Sequence, residues 1–261
     1  MMKKSPSIIS KLYPLSFLAL LLLLWWLACA LELIPAFMLP SPGRVLAAFI
    51  GDFPLLMQNA AVSLTESAIG LSTSIAAAFF LAVAMDRFAF LRRAVYPVIV
   101  LTQTVPTIAV APLLVLWLGY GLLPKITLIF ITCFFPLVVS ILSGFAAVDP
   151  DTVRLFQSMG ASRRQILWQL KLPSSLESFF SGLRVSTAYS IVGAVVAEWL
   201  GGNGGLGVYM TRVRKAYAFD KMFAVIFLIS GISLLAMWLV SLLQRGAMPW
   251  KHRQDTRAIL K

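Results

Sequence analysis

Long apolar runs alternate with short polar breaks along this chain. Residues 12–31, 67–85, 94–124, 126–148 and 222–244 carry no charge at all. Roughly 20 apolar residues cross a hydrocarbon layer about 30 Å thick as a helix. A sixth run near 178–200 is interrupted by Arg184 and closes with Glu198. Charges so near the ends of a span are tolerated, because long side chains reach the interface. Backbone in lipid must satisfy its own hydrogen bonds, so each run reads as a helix. The pattern predicts one all-α integral membrane domain over 1–261, with six transmembrane helices at about 12–33, 62–85, 94–118, 125–147, 178–200 and 222–244. The first run follows Lys3, Lys4 and Lys11 and ends near Ala28–Cys29–Ala30, as a signal peptide would. Its apolar stretch exceeds the usual 7–15 residues, so an uncleaved helix is expected.

Breaks inside the pattern carry further information. After the first run, "IPAFMLPSPG" reads as a stiff loop. Residues 43–57 then read as a short amphipathic surface helix, with Val45, Leu46, Phe49 and Ile50 at helical spacing. The third run contains Pro97, Pro106 and Pro112, which predicts a kinked or interrupted helix. Interrupted backbone at membrane depth belongs against protein or a water-filled cavity. Gln103, Thr104 and Thr107 lie in that stretch. Such groups serve either interhelical hydrogen bonding or the lining of a polar path. Small residues four apart, Ser140/Gly144 and Gly193/Ala197, permit close helix packing.

The polar segment 149–173 has its own start and stop signals. Asp149 is placed to cap a helix beginning at Pro150, with Asp151 also favourable at the positive end. The helix reaches Met159, and Gly160 is placed for a left-handed C-terminal turn. Ser162 and Gln165 match a capping box that starts a second helix, and Pro173 is expected to stop it. Val153, Phe156 and Met159 share one face of the first helix. A plain connector has no need of an apolar face; the segment reads as a knob that docks into another protein, or as a helix lying on lipid headgroups.

Composition narrows the class. Mean hydropathy is +0.89 and only 12% of residues are charged, yet the formal net charge is +12. Placement argues against nucleic acid. With six spans and an inner N-terminus, fifteen Lys and Arg fall inside (Lys3, Lys4, Lys11, Arg87, Arg92, Arg93, Arg154, Arg163, Arg164, Lys171, Arg245, Lys251, Arg253, Arg257, Lys261). Six fall outside (Arg44, Lys125, Arg212, Arg214, Lys215, Lys221). This asymmetry puts both termini in the cytoplasm. The basic stretch "TRVRKAYAFDK" is the local exception. Cys29 and Cys133 fall within spans and read as packing residues; no metal-ligand spacing is present. His252 sits in a basic tail. The formal GxGxxG from Gly202 to Gly207 has no strand before it and reads as a tight outer turn. The sequence shows no phosphate-binding GxxxxGK[ST] and no catalytic constellation, so a transport subunit is expected and not an enzyme.

These residues resemble a known family. Gly160, nine residues and then "LKLP" resembles the cytoplasmic loop of binding-protein-dependent ABC importer permeases, where a G–x9–I–x–L–P pattern follows an E-A-A triplet. Arg154, Leu155 and Phe156 stand where the triplet would be. "QTVPTIAVAPLLVLWLGYG" (103–121) and "GLRVSTAYSIVGAVVAEWLGGNGGLG" (182–207) are similar to the taurine, aliphatic sulfonate, nitrate and thiamine-pyrimidine-precursor branch. The resemblance implies a type I ABC importer permease in a prokaryotic cell membrane, paired as a homodimer. It implies an ABC ATPase on the cytoplasmic loop, binding ATP and Mg, and an extracytoplasmic solute-binding protein. The coupling residues would be Asp151, Val153, Phe156, Met159, Gly160, Arg163 and Pro173, and the solute path would use Gln103, Thr104 and Thr107. The absence of Arg or Lys at mid-membrane favours a heterocycle such as a thiamine pyrimidine precursor over sulfonate, taurine or nitrate. The rival class is an ion-coupled secondary transporter or channel, for which Glu66 and Glu198 are the candidate carboxylates.

Overall fold

The structure, a computed structural model, describes residues 8–35 and 37–249. Lys3, Lys4, Lys251, His252, Arg253, Arg257 and Lys261 lie outside the described residues, and of Lys11 only the backbone is described. The described residues are helical, without strands: α1 (Ile8–Ala30), α2 (Pro42–Gly51), α3 (Phe53–Arg87), α4 (Ala89–Thr102), α5 (Thr107–Leu118), α6 (Leu122–Ala146), α7 (Pro150–Ser158), α8 (Arg163–Ile166), a π-helical turn (Leu167–Lys171), α9 (Leu172–Glu198), α10 (Leu206–Lys215) and α11 (Phe219–Ala247).

Four stretches among the described residues are long and apolar enough to cross a membrane: Phe53–Arg87, Leu122–Ala146, Arg163–Glu198 and Phe219–Ala247. The pair α4 and α5 makes a fifth if taken as one span, bent by 101°. In α1 the described apolar part, Ser16–Ala30, is shorter. The amphipathic helix expected over 43–57 ends earlier. Asp52 is the C-cap of α2, its N–H bonding Ala48 O, and Phe53–Met57 open the long α3 instead.

The described residues form two compact units: 59–208 with 229–249, and those between 8 and 58 with 209–228. In the larger unit, α6 and α9 form the central pair, and small residues set their approach. A Cβ on Gly182 would fall on Ser140, and one on Gly144 would fall on Ser175. The backbones therefore meet side chain to bare Cα, as small-residue stripes allow. Cys133 Sγ donates to Ser186 O at 3.2 Å and Ser186 Oγ donates to Cys133 O at 3.2 Å. Cys133 is thus both packed and hydrogen-bonded. Leu137, Val138, Ala78, Ala82 and Met85 fill the core beside this pair. Many hydroxyls satisfy themselves on their own helix: Thr187 donates to Leu183 O, Ser74 to Gly70 O and Thr127 to Leu123 O. That is the economical solution where no water competes.

In the smaller unit, Trp25 stacks on Phe223 and Phe227 at 6.0 and 5.8 Å, and its indole N–H donates to Pro40 O at 3.1 Å. Asp52 receives the Tyr209 hydroxyl at 2.6 Å and pairs with Lys221 at 2.9 Å. The Tyr209 hydrogen bond, then Lys221, hold the Asp52 carboxyl below its usual value, against a smaller opposing push from burial. Burial and neighbouring Asp52 push the Tyr209 hydroxyl up. A depressed carboxyl contributes stability above its unfolded pKa, about 3.9, and loses it as pH falls through the folded value. Asp52→Asn should therefore lower the melting temperature at pH 7. The gap from wild type should shrink steadily below about pH 4, as read by thermal unfolding in detergent. A gap independent of pH would contradict this role.

Candidate coupling loop and solute route

The segment 149–173 is held in shape by local bonds. Asp149 Oδ1 accepts the Asp151 N–H at 3.1 Å, its Oδ2 accepts the Thr152 hydroxyl at 3.2 Å, and Pro150 sits where a helix N–H would be unpaired. Asp151 pairs with Arg154 at 3.1 Å, but both are exposed, so the pair adds little. At the other end, Gly160 has φ +79°. Its N–H bonds Gln157 O and the Ala161 N–H bonds Phe156 O, both at 3.0 Å. These two bonds around a left-handed residue are a Schellman C-cap. The capping box follows: Ser162 N–H donates to Gln165 Oε1 at 2.7 Å, and Gln165 N–H to Ser162 Oγ at 3.3 Å.

Pro173 does not stop the second helix. Helix runs from Arg163 through Glu198. A regular turn would push the proline ring into the carbonyl four residues back. The π turn Leu167–Lys171 widens the helix just before it, and Leu172 N–H bonds Leu167 O, five residues back. Pro173 then lies in the first turn of α9. Lys171, in the π turn, holds both Asp86 oxygens, at 2.6 and 2.8 Å. Sequence reasoning missed this tie between the loop and the end of α3. Its signal was Asp86, the lone acid in the basic turn "MDRFAFLRR".

The apolar face differs in detail from expectation. Val153 and Phe156 are half-buried. Met159 is 77% exposed, and Leu155, four residues before it, is 57% exposed; Trp168 is also 57% exposed. Leu155 and Trp168 were not singled out from the sequence, although the 155/159 spacing was the usual helical signal. Arg163 and Arg164 are exposed in the first turn of α8. Cations at the positive end of a helix are mildly unfavourable, so they do not serve stability.

The third apolar run breaks at 103–106. Gln103 and Thr104 N–H groups bond three residues back, to Val100 O and Leu101 O, and Pro106, with no N–H, is the N-cap of α5. A cavity of about 250 Å³ opens at this break. Gln103, Thr107, Thr102, Thr132, Tyr189 and Val192 line it, and no charged side chain does. Thr104 does not: its hydroxyl donates to Leu101 O at 2.8 Å.

The glycine-rich turn after α9 encloses a carboxylate. Glu198, 1% exposed, receives the Ser63 hydroxyl on Oε1 and the Gly207 N–H on Oε2, both at 2.6 Å. Ser63 Oγ accepts Leu206 N–H and Asn59 Oδ1 accepts Gly205 N–H, each at 2.9 Å. The first turn of α10 is thus capped by α3 and α9 side chains, the favoured place for an anion. Gly207 and Gly205 are required by closeness, since a Cβ on either would fall on Glu198. Glu66 is buried against Lys125 at 2.6 Å. Of the two carboxylates that an ion-coupled carrier would use, Glu198 has both oxygens bonded within the fold and Glu66 has one, paired with Lys125. Among the described residues, no His, Cys, Asp or Glu group has a metal-binding arrangement.

Residues 74–248 match the family model described as binding-protein-dependent transport system inner membrane component. The chain is 34% identical to the formylaminopyrimidine transport permease protein ThiX of Halalkalibacterium halodurans, over 93% of this chain and 97% of that protein. It is 33% identical to the taurine transport system permease protein TauC of Escherichia coli, over 89% and 87%. It is 30% identical to the riboflavin transport system permease protein RibX of Chloroflexus aurantiacus, over 90% and 88%. A crystal structure of an amino acid ABC transporter with histidines superposes with a TM-score of 0.64, covering 76% of this chain and 97% of that one. At 15% identity, that likeness speaks for the fold alone. The chain belongs to this inner-membrane permease family: it is the membrane-embedded, non-enzymatic subunit of an ABC importer that works with a separate ATPase and a solute-binding protein.

Proposed function

We propose that this permease carries a small, uncharged heterocycle of the thiamine-pyrimidine-precursor class, along a route that passes Gln103 and Thr107. The observation that supports it most is the cavity at the α4–α5 break, lined by the Gln103 amide, three threonines, Tyr189 and aliphatic side chains, without a charged group. A sulfonate or nitrate would leave water for a site with no cation, which is costly; a neutral ring with a few hydrogen-bonding atoms would not. The names of ThiX and RibX point the same way. TauC keeps a zwitterionic sulfonate as the second reading.

The wider assembly follows from the same reading. Helix α1 is the sixth span and both termini are cytoplasmic. Two copies face each other across the exposed Val185, Tyr189 and Val192 of α9. Each receives one ATPase, which binds ATP and Mg, against the loop 149–173. Asp151 and Gly160 shape that loop; Val153, Phe156, Met159 and Arg163 meet the ATPase; Pro173 lies where the loop joins α9. A rigid loop transmits closure of the ATPases as a rigid-body movement of the helices.

Gln103→Leu tests the route. Loss of a neutral hydrogen bond, about 0.5–1.5 kcal/mol, should weaken apparent affinity for transported aminopyrimidine by roughly 2–10-fold at unchanged membrane abundance. Uptake by cells expressing the whole importer, with taurine in parallel, reads both readings. Unaltered kinetics would remove Gln103 from the route, and uptake of taurine alone would replace the heterocycle.

A further inference from the structure

A second cavity, of about 450 Å³, lies where the glycine turn 201–204 meets the starts of α6 and the face of α3. It plays no part in the route above. Glu66, Lys125, Tyr120, Gly202 and Asn203 are among the residues that line it. Glu66 and Lys125 are buried and joined at 2.6 Å through Oε1. Glu66 Oε2 is buried and has no hydrogen-bond partner among the described residues. A buried ion pair is stable only when its remaining lone pairs and protons are met; here an acceptor oxygen is left over. An ammonium has three N–H donors, and Glu66 takes one of those on Lys125. An acceptor and a donor therefore stand side by side on one wall, while the pair as a whole is neutral.

Tyr120 adds an aromatic ring to the lining. Tyr120 is 83% exposed, and its ring lies against the turn: a Cβ on Gly201 would come within 2.8 Å of Tyr120 Cδ1. A bare cation is disfavoured by Lys125, and a bare anion by the unpaired Glu66 oxygen. A planar ring with an N–H beside a ring nitrogen matches all three groups. Its N–H donates to Glu66 Oε2, its ring nitrogen accepts from Lys125 Nζ, and its face stacks on Tyr120.

We propose that the cavity formed by Glu66, Lys125, Tyr120 and the glycine turn is a recognition site for an aminopyrimidine-like ring, separate from the Gln103 route. The site rests on the importer reading for its place on the outer face, where solute would arrive.

The test uses the permease–ATPase complex in lipid nanodiscs without the solute-binding protein. Binding of 4-aminopyrimidine is measured, with pyrimidine and taurine as comparisons. Wild type should bind 4-aminopyrimidine, with pyrimidine at least tenfold weaker and taurine no better than pyrimidine. Tyr120→Leu, at an exposed position, should keep thermal stability and weaken binding about tenfold. The double change Glu66→Gln with Lys125→Gln removes both charges together and should abolish the preference for the amino group. No binding to wild type, taurine binding best, or unchanged binding by Tyr120→Leu would each overturn the site. Uptake by the complete importer separates the two readings. Aminopyrimidine uptake without binding to the complex sinks this inference and leaves the transport reading; binding without uptake supports the site and sinks the transport reading.

Discussion

Gly160→Val is expected to leave the spans inserted but to cut uptake by more than an order of magnitude, with ATP hydrolysis continuing or the ATPase lost on purification. The reason is conformational. No heavy atom lies within 4 Å of a Cβ built at Gly160, so the substitution meets no clash. Its φ of +79° is the obstacle. A β-branched residue there pays about 1–2 kcal/mol or leaves the left-handed region. If it leaves, the bonds from Gly160 N–H to Gln157 O and from Ala161 N–H to Phe156 O break together. The angle between α7 and the capped start of α8 is then free, and in the proposed docking Val153, Phe156 and Met159 would no longer meet the ATPase in one orientation. Gly160→Asn, which tolerates this backbone better, should recover much of the uptake. Reconstitution with the ATPase reads retention and transport together, and normal values for Gly160→Val would remove the loop as the coupling element.

The second large effect is expected at Glu198. Glu198→Leu strips Ser63 Oγ and Gly207 N–H of their acceptor in the interior. Each buried group left unmade costs about 1–3 kcal/mol, a large part of a typical stability margin. Membrane abundance and thermal stability in detergent should fall sharply. Glu198→Gln keeps the shape and one good acceptor, and should fall between Leu and wild type. Gly207→Ala reaches the same network from the other side, because its methyl would fall on Val195 O and Glu198. It should match Glu198→Leu in direction. A stable, abundant Glu198→Leu protein would mean that the turn is held by something else.

What could be read from the sequence was what local rules govern. The Asp149 cap, the Gly160 turn and the Ser162–Gln165 box depend on residues two to four apart, and each stands as read. The break near Pro106 follows from a missing N–H. Pro173 departs from expectation because the rule that proline ends helices ignores the preceding turn, and the π turn has no signal in "LWQLK". Extending the surface helix through Phe53–Met57 overlooks Gly51, Asp52 and Pro54, which together end one helix and open the next. The Glu198 network was out of reach: Ser63 is 135 residues away from it in sequence, and the Lys171–Asp86 tie spans 85. Apolar exposure at Leu155 and Trp168 depends on what α7 and the π turn leave uncovered, which periodicity alone does not determine.

Site-directed crosslinking from Met159→Cys, in a chain with Cys29 and Cys133 replaced and the complete importer assembled, tests the central claim most directly. Asn203→Cys serves as the outer-face control. The account predicts that position 159 crosslinks to the ATPase and is shielded from a membrane-impermeant reagent added outside sealed cells, while position 203 is labelled by it. Labelling of position 159 from outside, or active transport with no crosslink to the ATPase from 159, would contradict it.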